Sequence, residues 1–538
     1  MMQIPMNLFM WLIALLPIIV LLVLMIKFQW GATEAAPVGL MITVITGVVF
    51  YKANITLLAS ESAKGIWNAL VILVIVWTAI LMYQVAEEAN AFSVIRKGMG
   101  ELLPNELLMI LAMGWIIESF LQGITGFGVP VAVGAPLLIG IGVSPLWAVI
   151  IPLLGQSWGN TFGTLAAAWD SLAMSAGIHV GSAEYFRTAF VAGSFLWIWN
   201  LVIGLVICWF YGKGRGIKKG LPAVVILSLI QGGGELLLSQ FNTTLACFVP
   251  ACGGMVAIFL LGRTSWYKEP WKLSDSPIMI RKEIKEEESN VPEGMTLVQA
   301  FVPYILLAVI TLIVLLCEPI NAILGSLKFG FSFPETKTGY GFVNAAVKGY
   351  SSFSPFTHAS MFLFISSILG LIYYRKCGWI SKEGTKAIFI RSVSMTMPSG
   401  IAVIGLIIMS KIMGGTGQTL VLAQGISQVL GKGYVVLAPI VGMIGSFMTG
   451  SNMSSNILFG NFQMTTASML GVKASALLGA QTAGASVGSS ISPSNIILGT
   501  TTANILGSEG EALKRILPIS VTMTLLIGVF TMVFLVLI

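Results

Sequence analysis

Charge is what this sequence has least of. Asp, Glu, Lys and Arg make up 9% of its 538 residues, where a soluble globular chain carries roughly 25%. With 56% hydrophobic residues and a mean hydropathy of +0.92, that scarcity excludes a soluble globular protein. Histidine is scarcer still, with only His179 and His358. No H-E-x-x-H run is present, which argues against a histidine-based metal or serine enzyme. The short strings "GSS" and "SPS" have no base partner nearby in sequence. Cysteine is limited to Cys208, Cys247, Cys252, Cys317 and Cys377. None has metal-ligand spacing with a histidine, and they give no disulfide framework. The expectation is a chain without metal or cofactor that is not an enzyme.

The formal net charge is +7. In a membrane chain such an excess reports cytoplasmic loops rather than a nucleic-acid partner. The first apolar run, 9–26, has no basic residue before it and no small-x-small cleavage site. A secretory signal peptide usually has both, so the run reads as a retained helix.

Long apolar runs are what the chain does have, and about 20 apolar residues cross a bilayer. Membrane elements are expected near 8–27, 33–50, 66–85, 105–122, 131–153, 186–210, 221–237, 243–262, 297–317, 357–374, 387–411, 434–449, 464–480 and 515–538. Several of these are short enough to be half-helices or hairpin arms. The fold class is therefore an all-α polytopic membrane protein with roughly 12–14 elements.

Three basic loops set its orientation. They hold Lys213, Arg215, Lys218 and Lys219, then Arg263, Lys268, Lys272, Arg281, Lys282 and Lys285, then Arg375, Lys376, Lys382 and Lys386. The positive-inside rule places all three in the cytoplasm and residues 318–355 outside. The charged stretch 263–296, which contains "RKEIKEEESN", divides the chain into membrane units 1–262 and 297–538. It reads as a linker between them, with a regulatory tail as the alternative.

Each unit breaks its apolar pattern twice. In the first, "SFLQGITGFG" (119–128) leads into a Gly/Pro-rich run, and "GQSWGNTFGT" (155–164) follows. In the second, "GSFMTGSNMSSNILFGN" (445–461) is followed by "AQTAGASVGSSISPSN" (480–495). Glycine costs about 1 kcal/mol in a helix interior and proline about 3, so straight spans are poorly served here. In lipid, a broken backbone must be covered by protein or line a wet cavity. Corresponding interrupted segments in two halves point to a transporter binding site, with half-helix N-termini facing an anion. The competing reading is a set of small-residue faces for close helix packing.

Ionisable residues at membrane depth are functional candidates. Glu118 precedes the first break and is the first candidate for proton coupling. Asp170, in "AAAWDSL", is the second. Burial favours the neutral form of a carboxyl in general, which is the chemistry a proton carrier needs. Lys411 and Arg391 are candidates for a substrate carboxylate, and Arg391 reads equally as an anchor at the cytoplasmic end. Asp170 and Glu235 read equally as residues at span ends, and His358, in "SFSPFTHAS", is placed at an outer boundary.

The strings "FLQGITGFGVPVAVGAPLL", "GQSWGNTFGTLAAAWDSLA", "GSNMSSNILFG" and "AGASVGSSISPSNI" resemble the L-lactate permease family, which includes glycolate permeases. The resemblance covers essentially the whole chain. It implies a multi-pass carrier in the bacterial plasma membrane that moves a 2-hydroxy monocarboxylate (L-lactate, D-lactate or glycolate) together with a proton. It also implies two inverted repeats, each with a re-entrant hairpin and a broken helix. Ser451-Asn452 and Ser494-Asn495 resemble the serine-asparagine hairpin tips that bind substrate in sodium-coupled relatives of the wider group. The first half departs from this, with Ile124-Thr125-Gly126 and Gly159-Asn160-Thr161 in the corresponding places, which suits proton coupling better than a symmetric ion site.

The nominated substrate contacts of the first half are Gly123, Thr125, Gly126, Gln156, Ser157, Asn160 and Thr161. Those of the second are Ser451, Asn452, Ser454, Asn456, Ser490, Ser494 and Asn495, with Lys411 nearby. A sodium-coupled di- or tricarboxylate carrier of the same architecture is the alternative, and a passive channel a further one.

Overall fold

The computed structural model describes residues 4–28, 30–126, 128–280, 292–505 and 507–537. The run 281–291, with Arg281, Lys282 and Lys285, lies outside the described residues. Helix dominates because, without water, backbone N–H and C=O groups must pair within their own segment. Among the described residues seven helical runs are long and apolar enough to cross a membrane, or eight with one bent pair. The other membrane elements are shorter or less apolar helices, such as Val129–Ile139 and Asn452–Leu470. Outward-facing side chains are apolar: Leu221, Val225 and Leu229 repeat every four residues and are exposed, as a lipid-facing stripe would be.

The basic stretches meet on one face. The helical run Ala183–Ser228 kinks at Gly212 and Lys213, where the first of them begins. Arg215 pairs with Asp275, and Lys219 Nζ donates to the Trp266 carbonyl at 2.8 Å. After the third stretch begins, Trp379 Nε1 donates to the Glu293 carbonyl at 3.2 Å.

The opposite face carries two antiparallel β ribbons, where only an outer loop was expected. Phe329–Phe333 pairs with Val347–Phe353, and Thr336–Lys337 with Val343–Asn344. The alternating aromatic pattern of "FGFSF" suits a strand. The ribbons sit on the start of helix Ile55–Glu88: Asn54 Nδ2 donates to the Lys337 carbonyl at 3.0 Å, and Trp67 Nε1 to that of Ser351 at 3.0 Å. This helix has 34 residues, about 50 Å at 1.5 Å per residue. Its far end, Glu88, pairs with Arg391, soon after the third basic stretch. Arg391 is thus an anchor at the basic face.

Two hairpins reach the middle of the molecule. The first descends as Glu106–Ile124, with a π-helical turn at Ala112–Ile116, and returns as Val129–Ile139. Its base is on the basic face, where Glu106 N donates to the Trp271 carbonyl at 3.0 Å and Ser144 N to that of Ile278 at 2.8 Å. Helix Pro145–Ser157 then climbs to the middle, breaks, and continues through Ala176 toward the ribbon face. The second hairpin is Tyr434–Thr449 and Asn452–Leu470, followed by Ala474–Ser489, a break, and Pro493–Thr502.

The two units pack crosswise. Asn452–Leu470 lies along Gly163–Ala176, and Pro493–Thr502 lies on Val129–Ile139. Asn456 Nδ2 donates to the Ala168 carbonyl at 3.1 Å, and Ser175 Oγ to that of Ile457 at 2.7 Å. The pairing runs the same way along both helices, so the second hairpin opens to the ribbon face and the first to the basic face.

Glycine makes the turns possible. Gly126 and Gly450 have φ of +58° and +74°, a region that costs an L-residue about 1–2 kcal/mol. A Cβ on Gly126 would run into Thr164 Oγ1, and one on Gly450 into Ser494 Oγ. In each half the hairpin turn is pressed against a hydroxyl of the following broken helix.

Candidate functional site

All four breaks meet at one central cavity. Gln122 and Gly128 come from the first hairpin; Gln156, Asn160, Gly163, Thr164, Ala167 and Ala168 from the first broken helix. Gly450, Ser451, Asn452 and Met453 come from the second hairpin, and Ser489 and Asn495 from the second broken helix. The cavity measures about 40 Å³. A water needs ~10–15 Å³ by this measure, so there is room for about three water-sized groups.

The lining is polar and carries no charged side chain. Positive potential comes instead from helix N-termini, each worth about half an elementary charge. Gly128 precedes Val129–Ile139 and Ser451 precedes Asn452–Leu470. Asn495 lies in the first turn of Pro493–Thr502. The remaining helix begins with a left-handed turn, Thr164, Leu165 and Ala166, at φ of +49°, +49° and +71°. Its right-handed part therefore starts at Ala167, at the cavity wall. Such a turn on non-glycine residues is strained backbone of the kind that gathers at binding sites.

A hydrogen-bond network backs the wall. Asn452 Nδ2 donates to Thr161 Oγ1 at 3.0 Å and to Ser486 Oγ at 2.9 Å. Asn456 Nδ2 donates to Thr482 Oγ1 at 2.9 Å, and Thr161 Oγ1 lies 3.0 Å from both Thr482 Oγ1 and Ser486 Oγ. Asn160 Nδ2 donates to Ser489 Oγ. Asn495 Nδ2 ties the second break together by donating to the carbonyls of Gly450 at 3.1 Å and Ser489 at 3.0 Å.

Of the nominated contacts, Gln156, Asn160, Ser451, Asn452 and Asn495 line the cavity. Thr161 and Asn456 hold the network behind it, and Gly126 forms the adjoining turn. Ser454 N donates to the capping Ser451 Oγ at 3.4 Å, and Ser494 Oγ lies 2.9 Å from Ser492 Oγ. Four others serve packing. Gly123 lies against the Phe248 backbone, and Thr125 Oγ1 donates to the Leu121 carbonyl at 2.9 Å. Ser157 Oγ accepts from Trp199 Nε1 at 2.8 Å, and Ser490 Oγ lies 3.0 Å from Ser520 Oγ. Lys411 lines a different, smaller cavity.

Glu118 is fully buried, packed against Gly134, and neither carboxylate oxygen has a partner among the described residues. It lies one helical turn before Gln122. Asp170 is half-buried, lines neither cavity, and sits near Tyr185. Glu235 is buried beside Cys247, whose sulfur faces Gly159. His358 Nδ1 lies 2.8 Å from Ser360 Oγ, outside the cavity lining. Residue-by-residue nomination missed Gln122, Thr164, Thr482, Ser486 and Ser489, although all five fall inside the interrupted strings.

The L-lactate permease family model matches residues 10–538. The chain belongs to the L-lactate permease family. It is 26% identical over 530 residues to an L-lactate permease of Halalkalibacterium halodurans, covering 96% of this chain and 95% of that one. Against the L-lactate permease of Escherichia coli K12 identity is 25% over 556 residues, covering 97% and 95%. Against the glycolate permease GlcA of the same strain it is 24% over 557 residues, with the same coverage. The YdaH transporter of Alcanivorax borkumensis, a solved structure of unusual topology, overlaps 87% of this chain at a TM-score of 0.43 and 14% identity. That likeness decides nothing about this permease.

Proposed function

We propose that this permease carries a small 2-hydroxy monocarboxylate, L-lactate with D-lactate and glycolate as related substrates, across the bacterial plasma membrane in symport with a proton. The observation that carries the reading is the uncharged cavity ringed by helix N-termini. Such a ring stabilises one carboxylate, while Gln and Asn amides and Ser and Thr hydroxyls offer partners to a 2-hydroxyl. A di- or tricarboxylate would bring charge that this lining leaves uncompensated. The small volume fits a substrate of few heavy atoms, and the full-length relatives are named for lactate and glycolate.

The two hairpin-plus-broken-helix units read as an inverted pair within repeats 1–262 and 297–538, joined by the cytoplasmic linker 263–296. Alternating access then follows from rocking one unit against the other around the shared cavity. Glu118 is the proposed proton-coupling residue. It lies about 6 Å along the helix from Gln122, whose buried Oε1 also lacks a partner among the described residues. Asp170 is the second candidate, at the far side of the cavity's helix.

Exchange of labelled L-lactate in proteoliposomes tests the substrate class. Unlabelled glycolate and D-lactate are expected to compete, and succinate and citrate are not. Equal competition by succinate would overturn the monocarboxylate reading.

A further inference from the structure

We propose that the small cavity at Lys411 is a second anion site, which captures the carboxylate of the incoming substrate before it reaches the central cavity. The proposal rests on the reading of the chain as a carboxylate carrier.

The two cavities lie along the same two helices. On the first broken helix, Ala167 and Ala168 line the central cavity, and Ser171, Met174 and Ser175 line the other. On the second hairpin, Met453 lines the central cavity and Ile457 the other. These are steps of three or four residues along one helix face. The second cavity therefore lies one to two turns toward the ribbon face, where Tyr350 of the ribbon contacts two of its lining residues, Asn68 and Lys411.

Its chemistry differs from that of the central site. Lys411 Nζ donates to the Met174 carbonyl at 3.2 Å and lies 5.7 Å from the Tyr350 ring centre. Among the described residues it has no carboxylate partner, and an ammonium has three donors to place. Lys64 lies 5.9 Å from the same ring, but Glu61 neutralises it at 2.7 Å, with both side chains buried. The outer chamber thus keeps one uncompensated positive charge, and the central lining has none.

Asn68 supplies a second, independent sign of a ligand. It is 1% exposed, lines the cavity, and donates through Nδ2 to the Tyr350 hydroxyl at 3.1 Å. Its buried Oδ1 has no partner among the described residues. A 2-hydroxy acid matches both groups, its carboxylate on Lys411 and its hydroxyl on Asn68 Oδ1. The cavity measures about 10 Å³, room for one water-sized group. Binding therefore displaces the hydrogen bond from Lys411 to Met174 and opens the cavity.

The test uses full-length protein carrying Ser410→Cys, in proteoliposomes. Maleimide labelling of that site is followed by mass spectrometry, with L-lactate, with acetate as a minimal carboxylate, and with chloride at equal ionic strength. Both carboxylates are expected to slow labelling, and chloride is not. In Lys411→Gln the concentration for half-protection is expected to rise about tenfold, the order expected for losing one hydrogen bond to a charged group. Lys411→Arg keeps the protection, and so does Asn452→Ala, whose lost hydrogen bonds lie at the central cavity and not at Lys411. Ser175→Cys reports on the same cavity if Ser410→Cys does not fold.

Absence of protection overturns the proposal, as does protection abolished by Asn452→Ala. Lactate uptake by the wild type is a separate readout. Its failure overturns the proposed function, while acetate protection still reads the Lys411 site.

Discussion

The Asn452 amide donates to the Thr161 hydroxyl at 3.0 Å, across 291 positions of sequence. One residue belongs to the second hairpin and the other to the first broken helix. Their contact joins the second hairpin to the first broken helix at the cavity wall, so the proposed rocking of one unit against the other would act on this bond. Removing the amide takes one donor each from Thr161 and Ser486. Asn452→Ala is expected to raise the transport KM for lactate about tenfold, the scale of 1–3 kcal/mol for an orphaned buried partner. Thr161→Val added to it should cost less than the sum of the two single changes. Wild-type KM in Asn452→Ala would contradict the site.

Glu118 carries the coupling prediction. Glu118→Gln keeps the shape and removes the ionisable group. Lactate exchange is expected to persist, while accumulation driven by a pH gradient is lost. Gly134→Ala should reproduce much of this, because the added Cβ would occupy the space of the Glu118 carboxyl. Unchanged accumulation in Glu118→Gln would pass the role to Asp170.

Gly450 is held at φ +74° with Ser494 Oγ pressed against it. Gly450→Ala meets both obstacles, and the conformation alone costs about 1–2 kcal/mol. A lowered melting temperature and lost transport are expected. Ser494→Ala in the same chain relieves the clash but not the backbone strain, so recovery should be partial.

The basic face makes a negative prediction. The Arg215 guanidinium beside Asp275 holds that carboxyl below its usual value of 3.8. A lowered folded-state value stabilises the fold above the unfolded value, and the contribution fades as pH falls through the lowered one. Between pH 5 and 8 the Asp275 carboxyl stays ionised. Arg215→Ala should leave the pH profile of uptake unchanged in that range, measured as initial rate against external pH.

The breaks were legible because their cause is local. Glycine, proline and hydroxyl residues in an apolar run report a backbone that cannot continue as helix, and the turns at Gly126 and Gly450 fall inside such strings. The side of each helix that faces the cavity was not legible. Ser157 and Thr125 share the chemistry of Asn160 and Thr164, yet packing sends them to Trp199 and to their own helix. Lys411 drew notice as a charge at membrane depth, but sequence gives no distance, and it lies one cavity away. The hub of Thr482 and Ser486 went unread because each is an ordinary small residue until Asn452 and Asn456 arrive from another helix. The ribbon pairing Phe329–Phe333 with Val347–Phe353 had its period-two signal hidden in a stretch read only as a loop.

The central claim is best tested by uptake of labelled L-lactate into proteoliposomes under an inward proton gradient, with sodium absent. Proton symport predicts accumulation above the external concentration that a protonophore collapses, and its loss in Glu118→Gln. Uptake that appears only when sodium is supplied, and ignores the protonophore, would contradict it.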